Sequence, residues 1–130
     1  MADRGRVILM VEDDESLRRI VARHLRGLGY EVVEAASAEG AEAELRRGVR
    51  PGVVVLDLNL PGDTGWQMLR GTALREAGSP PVLIASATTV SPRRLAEFGC
   101  AGFLPKPFAL DTLVATIERL LDLESGDQTR

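Results

Sequence analysis

The feature that most constrains the fold is an alternation of short apolar runs with longer amphipathic stretches. Residues 7–11 and 53–56 are wholly apolar and rich in branched side chains, and residues 81–85 form a third such run. Continuous runs of this length are typical of strands that are covered on both faces, as in a parallel sheet. Two weaker segments, residues 31–35 and 102–104, complete a set of five predicted strands.

Five helices are predicted to follow the five strands. The first has one apolar face, formed by Leu17, Ile20, Val21, Leu25 and Leu28. Ser37 is the predicted cap of the second helix, the third is predicted from about residue 64 to 77, and Ser91 with Pro92 begins the fourth. The last carries Leu110, Leu113, Val114, Ile117, Leu120 and Leu121. The alternation predicts an α/β fold in which helices cover both faces of a doubly wound parallel sheet.

Length and composition favour one domain of 130 residues, with a core from about residue 6 to 123 and a frayed polar tail over residues 124–130. The net charge of −3 argues against a broad basic surface, so we expect no direct binding of nucleic acid. Cys100 is the only cysteine, which excludes an internal disulfide. Because no apolar stretch is long enough to span a bilayer, we expect a soluble, cytoplasmic protein without membrane contact.

Polar side chains follow the predicted strands at their carboxyl ends. Glu12 and Asp13 follow the first strand, Asp57 the third, Ser86 the fourth and Lys106 the fifth. Because functional groups gather at this edge of a parallel sheet, we expect these side chains to lie together. A divalent cation would relieve the repulsion between the carboxylates, and oxygen ligands suit Mg²⁺. The lysine and the hydroxyl could then bind phosphoryl oxygens while an aspartate acts as the nucleophile.

The motifs at these strand ends resemble those of the receiver domain of two-component response regulators, including the single-domain chemotaxis type. The matching segments are Val-Glu-Asp-Asp at 11–14, Val-Val-Leu-Asp-Leu-Asn-Leu-Pro-Gly at 54–62, Ile-Ala-Ser-Ala at 84–87 and Leu-Pro-Lys-Pro-Phe at 104–108. Each motif alone is weak, but all four in order are specific. The resemblance implies a flavodoxin-like sheet in the order 2-1-3-4-5, and a phosphorelay signal receiver without independent substrate turnover.

The resemblance also implies which residues carry the phosphoryl chemistry. Asp57 would be the phosphoacceptor. Glu12, Asp13, Asp57 and the main-chain carbonyl of Asn59 would hold Mg²⁺, with Mn²⁺ as an alternative. The phosphoryl donor would be a sensor histidine kinase or a histidine phosphotransfer protein.

A second group of residues would respond to phosphorylation, again by resemblance. Ser86 would be the switch hydroxyl, Phe103 the switch aromatic, and Lys106 a contact to the phosphoryl oxygens. The bond from Lys106 to Pro107 should be cis. Asn59 and Thr88 lie where they could tune the dephosphorylation rate. An output protein or domain would bind the face formed by the fourth helix, the fifth strand and the fifth helix.

Some residues of the sequence also have, or only have, ordinary structural interpretations. An acidic run such as residues 12–15 is common at the start of a helix, where it interacts with the helix dipole. Trp66 is interpreted as a packing residue that could also report ligand binding by fluorescence. His24 is interpreted as structural or surface-exposed, and Cys100 as a small buried hydrophobe.

Other functions remain open from the sequence. One is a pseudo-receiver that never accepts phosphate and acts only as an interaction module. Another is a phosphatase-like enzyme with Asp57 as nucleophile, although such enzymes normally carry a second aspartate where this chain has Asn59. A nucleotide-binding flavodoxin-like protein is disfavoured, because no glycine-rich loop follows the first strand.

Overall fold

The strands form one parallel sheet. The computed structural model describes residues 7–62 and 64–129, with side chains up to Asp122. Within these residues the strands are β1 Val7–Val11, β2 Glu31–Ala35, β3 Val53–Leu56, β4 Val82–Ser86 and β5 Gly102–Pro105. All pairings are parallel, and the strand order is β2-β1-β3-β4-β5. The predicted fold class and strand order are therefore confirmed.

The described part of the chain contains six helices. They are α1 Glu15–Gly27, α2 Ala38–Arg46, α3 Gly65–Arg70, α4 Ala73–Glu76, α5 Pro92–Glu97 and α6 Leu110–Thr129. Within the described residues, no helix is both long and apolar enough to cross a bilayer.

Two apolar layers cover the sheet because successive residues of each strand point to opposite faces. Leu9 and Val11 of β1 pack in the layer that contains the buried side chains of α2, α3 and α4. Ile8 and Met10, between them along the strand, pack in the layer that contains α1 and α6. All four are buried, which explains why β1 is a continuous apolar run rather than an alternating one.

Helix α1 buries a narrower face than the sequence predicts. Asp14 caps the helix by accepting a hydrogen bond from the Leu17 N–H, and Val21, Ala22 and Leu25 are buried. The predicted core residues Ile20 and Leu28 are instead 56% and 47% exposed. Ile20 lies well round the helix from the buried residues, and Leu28 is already the C-cap, so neither side chain faces the sheet.

The predicted third helix, residues 64 to 77, is divided into α3 and α4. Gly71 ends α3 with an extended backbone, φ −74° and ψ −176°. Glycine is a poor helix former, because the helix restricts its backbone more than that of any other residue. Helix α6 runs to Thr129 and so extends into the predicted polar tail. The fraying of that tail stays a prediction.

Helix α5 is attached to the molecule without a fully buried side chain. Ser91 caps it and Pro92 is its first residue, as predicted. Its contacts with α3 are aromatic: the rings of Trp66 and Phe98 lie 4.9 Å apart, and the Arg94 guanidinium lies 4.6 Å above the Trp66 ring. Such contacts contribute about 0.5–1.5 kcal/mol each. The interpretation of Trp66 as a packing residue is therefore confirmed.

The single cysteine should react slowly in the native protein. Cys100 is half-buried against the apolar layer on the α2 face, so it is less buried than predicted, and burial raises the pKa of its thiol. A raised pKa lowers the thiolate fraction at a given pH, and the thiolate is the nucleophile. We expect iodoacetamide at pH 8 to alkylate native protein more slowly than protein unfolded in urea, as followed by intact mass. Equal rates would contradict this expectation.

Candidate functional site

The site begins where β1 and β3 end side by side. The chain adds strands on one side of β1 and then on the other, so the strand order reverses at β1. At the end of β1, one further main-chain hydrogen bond joins it to each neighbouring strand. The Asp57 N–H donates to the Val11 carbonyl at 3.0 Å, and the Glu12 N–H donates to the Ala35 carbonyl at 3.0 Å. These bonds fix the main chain of both acidic residues at the same edge of the sheet.

Three carboxylates converge at this edge. Ligand oxygens of Glu12, Asp13 and Asp57 all lie within 4.8 Å of one another. Glu12 and Asp57 are buried, whereas Asp13 is exposed, so the cluster is open to solvent on the side of Asp13. Hard divalent cations prefer oxygen ligands, and Mg²⁺ usually keeps several waters beside one or two carboxylates. The side chains present therefore fit a divalent cation.

Lys106 supplies the positive charge of the site. Its Nζ donates to Asp57 Oδ2 at 3.1 Å and also donates to Glu12 Oε1. Its own N–H donates to the Ser86 carbonyl at 3.0 Å, which anchors the residue at the end of β4. The peptide bond from Lys106 to Pro107 is cis. One ammonium group thus bridges the two buried carboxylates.

The ionisation of Glu12 and Lys106 reflects burial and pairing together. Burial raises the pKa of Glu12, and the hydrogen bonds that it accepts from Lys106 and from the Asp14 N–H offset this only in part. Burial alone would lower the pKa of Lys106. The hydrogen bonds to Glu12 and Asp57 outweigh it, so the pKa of Lys106 lies above its ordinary value. The lysine is therefore charged at neutral pH.

A small hydrogen-bond network links Asp57 to two hydroxyl groups. The Asn59 N–H donates to Asp57 Oδ1 at 3.1 Å, and its side-chain amide donates to Thr88 Oγ1 at 2.7 Å and to Ser86 Oγ at 3.4 Å. Ser86 is buried and also accepts from the Thr88 N–H at 3.2 Å. The residues predicted to tune dephosphorylation thus contact each other and the predicted switch hydroxyl.

Phe103 lies on β5, two strands beyond β3, which Asp57 follows. It is half-buried on β5 opposite Ile84 of β4, and it packs against the apolar layer on the α2 face. This position is next to the predicted switch hydroxyl in the sheet, since Ser86 is two residues beyond Ile84. The switching role of Phe103 and the role of the Asn59 carbonyl remain predictions.

Two residues of the site were not predicted from the sequence. A Cβ added at Gly65 would lie 2.6 Å from the Asp57 carbonyl oxygen and 2.9 Å from Leu58 Cα, so only glycine lets α3 begin this close to Asp57. The sequence feature that could have indicated this constraint is a glycine directly after Thr64, the residue that caps α3. The second residue, Arg18, donates from Nη1 to the Glu12 carbonyl at 2.9 Å. No local sequence signal indicated that contact.

Comparison with known proteins agrees with this geometry. The family model described as "Response regulator receiver domain" matches residues 8–118. The chain is 38% identical over 125 residues to the response regulator MprA of Mycobacterium sp. (strain KMS), covering 93% of this chain and 53% of MprA. It thus spans about half the length of the curated relatives it matches.

Solved structures show the same fold. The chemotaxis protein CheY4 of Vibrio cholerae has a TM-score of 0.78 and 31% identity, covering 88% of this chain and 97% of that one. The response regulator TrrA of Thermotoga maritima, solved in complex with Mg²⁺–BeF, has a TM-score of 0.76. At 23% identity, covering 88% of this chain and 98% of its own, TrrA supports the fold alone. The family consists of signalling domains rather than turnover enzymes, which disfavours the phosphatase alternative. The chain therefore belongs to the response regulator receiver domains, which are phosphorylation-based signal receivers.

Proposed function

We propose that Asp57 accepts a phosphoryl group from a phosphohistidine on a sensor histidine kinase or a histidine phosphotransfer protein, within one receiver domain with a core from about residue 6 to 123. The observation that supports this most directly is the Lys106 ammonium, 3.1 Å from Asp57 Oδ2 inside a cluster of three carboxylates. Phosphoryl transfer depends mainly on positioning and on neutralising charge, and this arrangement provides both.

The same cluster is the proposed metal site. Glu12, Asp13 and Asp57, with the main-chain carbonyl of Asn59, would hold Mg²⁺, or Mn²⁺ in its place. When bound, the cation would neutralise negative charge on the carboxylates and on the phosphoryl oxygens. Asp13 is the exposed member of the three acids, so it lies on the side from which a cation and a phosphoryl donor would enter.

The transfer step assigns a distinct task to each side chain. A carboxylate oxygen of Asp57 attacks phosphorus in line, and the bond from phosphorus to the donor imidazole nitrogen breaks. The imidazole leaves with that electron pair and takes up a proton. Lys106 already donates to Asp57, and it would donate to a phosphoryl oxygen in the product. The product is an acyl phosphate, which water later hydrolyses.

The conformational response would begin at Ser86. Its hydroxyl accepts hydrogen bonds from the Asn59 side chain and the Thr88 N–H, and it would turn to donate to a phosphoryl oxygen. Phe103 would then move inward. That change would bias the face formed by α5, β5 and α6 toward one of two states, and an output protein or domain would distinguish them. Asn59 and Thr88, joined by a 2.7 Å hydrogen bond, would set the rate of hydrolysis.

A labelling experiment with the purified chain tests the proposed function. We expect incubation with Mg²⁺ and a small acyl phosphate or phosphoramidate to add one phosphoryl group, detected by intact-mass spectrometry. Omitting the metal and adding EDTA should suppress the label, because the carboxylates and the phosphoryl oxygens would then repel one another. A chain that takes no label would favour the pseudo-receiver alternative. A chain that takes the label equally well in EDTA would instead contradict the proposed role of the metal in the transfer.

A further inference from the structure

Arg18 connects the candidate metal site to the neighbouring strand. It lies in the first turns of α1, and its side chain is only 14% exposed. Its Nη1 donates to the Glu12 carbonyl at 2.9 Å, while its Nε donates to Glu34 Oε1 at 3.1 Å. A guanidinium with both edges occupied in this way is held in one orientation, because its donors form a rigid planar fork.

The anchor of Arg18 is itself fixed. Glu34 lies on β2, and its second carboxylate oxygen accepts from Arg26 Nη1 at 3.0 Å. Arg26 also donates from Nη2 to the Val32 carbonyl at 2.7 Å. The Arg26–Glu34–Arg18 chain therefore ties two turns of α1 to β2, and it ends on the main chain of Glu12. Networks of this kind restrict geometry more than isolated surface ion pairs do.

Hydrogen bonds consequently hold both main-chain polar groups of Glu12. Its N–H donates to the Ala35 carbonyl of β2, and its carbonyl accepts from Arg18. Glu12 follows the last residue of β1, so the sheet no longer fixes its carbonyl. We infer that Arg18 is a positioning residue for the proposed metal site, which sets the main-chain orientation of Glu12 and thereby the direction of its carboxylate. The inference rests on the proposed function, because it assumes that this cluster binds Mg²⁺.

The sign of the expected effect separates positioning from simple electrostatics. The positive charge of Arg18 near three carboxylates repels a cation, so removing that charge alone would tighten Mg²⁺ binding. Loss of the guanidinium frees the Glu12 carbonyl. Mg²⁺ binding then weakens, because the Glu12 carboxylate must be ordered when the metal binds. The two explanations therefore predict opposite changes in Kd.

Two Arg18 variants and one control use this difference, and a Glu34 variant tests the anchor of Arg18. Arg18→Gln removes both the positive charge and the planar guanidinium that bridges Glu34 and the Glu12 carbonyl. Arg18→Lys keeps the charge but loses the guanidinium. Glu34→Gln keeps Arg18 but weakens its anchor. Arg23→Gln, at an exposed position of the same helix, removes one charge without touching Glu12 and is the matched control.

We expect isothermal titration with Mg²⁺ alone to give a Kd about tenfold higher for Arg18→Lys, a typical cost of losing a group that orients a metal ligand. The increase should be smaller for Arg18→Gln, because loss of the positive charge offsets part of it. It should also be smaller for Glu34→Gln, and Arg23→Gln should bind as tightly as wild type or more tightly. Unfolding in urea with EDTA, followed by circular dichroism, verifies that each titrated variant is folded.

The outcomes distinguish this inference from the proposed function. If the wild type binds Mg²⁺ and the Arg18 variants bind it as tightly as Arg23→Gln does, Arg18 only stabilises the fold and the inference is overturned. Should Arg18→Gln not fold, the same comparison is made with Arg18→Lys, which keeps the positive charge. A wild-type chain that does not bind Mg²⁺ at all would instead overturn the proposed metal site, and the inference with it.

Discussion

We expect the Asp57→Asn variant to take no phosphoryl label under conditions that label the wild type. Asparagine has nearly the shape of aspartate, but its neutral amide is not a nucleophile toward phosphorus. The buried position of Asp57 at the end of β3, 3.1 Å from Lys106, leaves no other described carboxylate in the same surroundings except Glu12. Intact-mass spectrometry after incubation with Mg²⁺ and a small phosphodonor measures the loss.

The control for this experiment is a second aspartate-to-asparagine change away from the site. Asp111 is exposed in the first turn of α6, so Asp111→Asn should label like the wild type. A single stable label that persists on Asp57→Asn at the wild-type level would show that another residue is the acceptor. Peptide mapping of that product would then identify it.

The second large effect is expected from Gly65→Ala. The added methyl group would lie 2.6 Å from the Asp57 carbonyl oxygen and 2.9 Å from Leu58 Cα, and neither backbone atom can move without shifting the end of β3. Inserting a methyl group into a packed interior typically costs about 1–3 kcal/mol. We expect the free energy of unfolding to fall by about that amount, as measured by urea unfolding followed by circular dichroism.

Gly27→Ala is the matched control for that measurement. Gly27 is the last residue of α1, and a Cβ there would meet nothing within 4 Å. Only helix propensity should then act, and replacing glycine with alanine in a helix stabilises by up to about 1 kcal/mol. If Gly65→Ala is as stable as Gly27→Ala, the close approach of α3 to Asp57 is not a constraint on the sequence.

Much of this architecture could be predicted because it is encoded locally. The apolar runs of β1 and β3 are buried on both faces, so their composition alone distinguishes them from strands exposed on one side. Parallel pairing then requires that Glu12 and Asp57 end up at the same edge, whatever the details of the loops. The convergence of the carboxylates with Lys106 follows from the order of the strands.

What the sequence did not reveal depends on contacts between distant segments. Arg18 contacts Glu34, sixteen positions away, only because α1 packs across β2, and nothing in the residues around Arg18 indicates this partner. The side of α1 that carries Ile20 could not be distinguished from the buried side by spacing alone. The break at Gly71 had a local signal, a glycine followed by a threonine, but the apolar spacing of the segment outweighed it.

Helix α5 differs from the elements around it in how firmly it is attached. None of its side chains is fully buried. Its attachment consists of the stacked surfaces of Trp66, Phe98 and Arg94 and of Leu95, which is partly buried against the apolar layer on the α2 face. Segments with so little buried apolar surface open at a free energy well below that of global unfolding. We therefore expect helix α5 to open locally at a lower free energy than the strands that carry the carboxylate cluster.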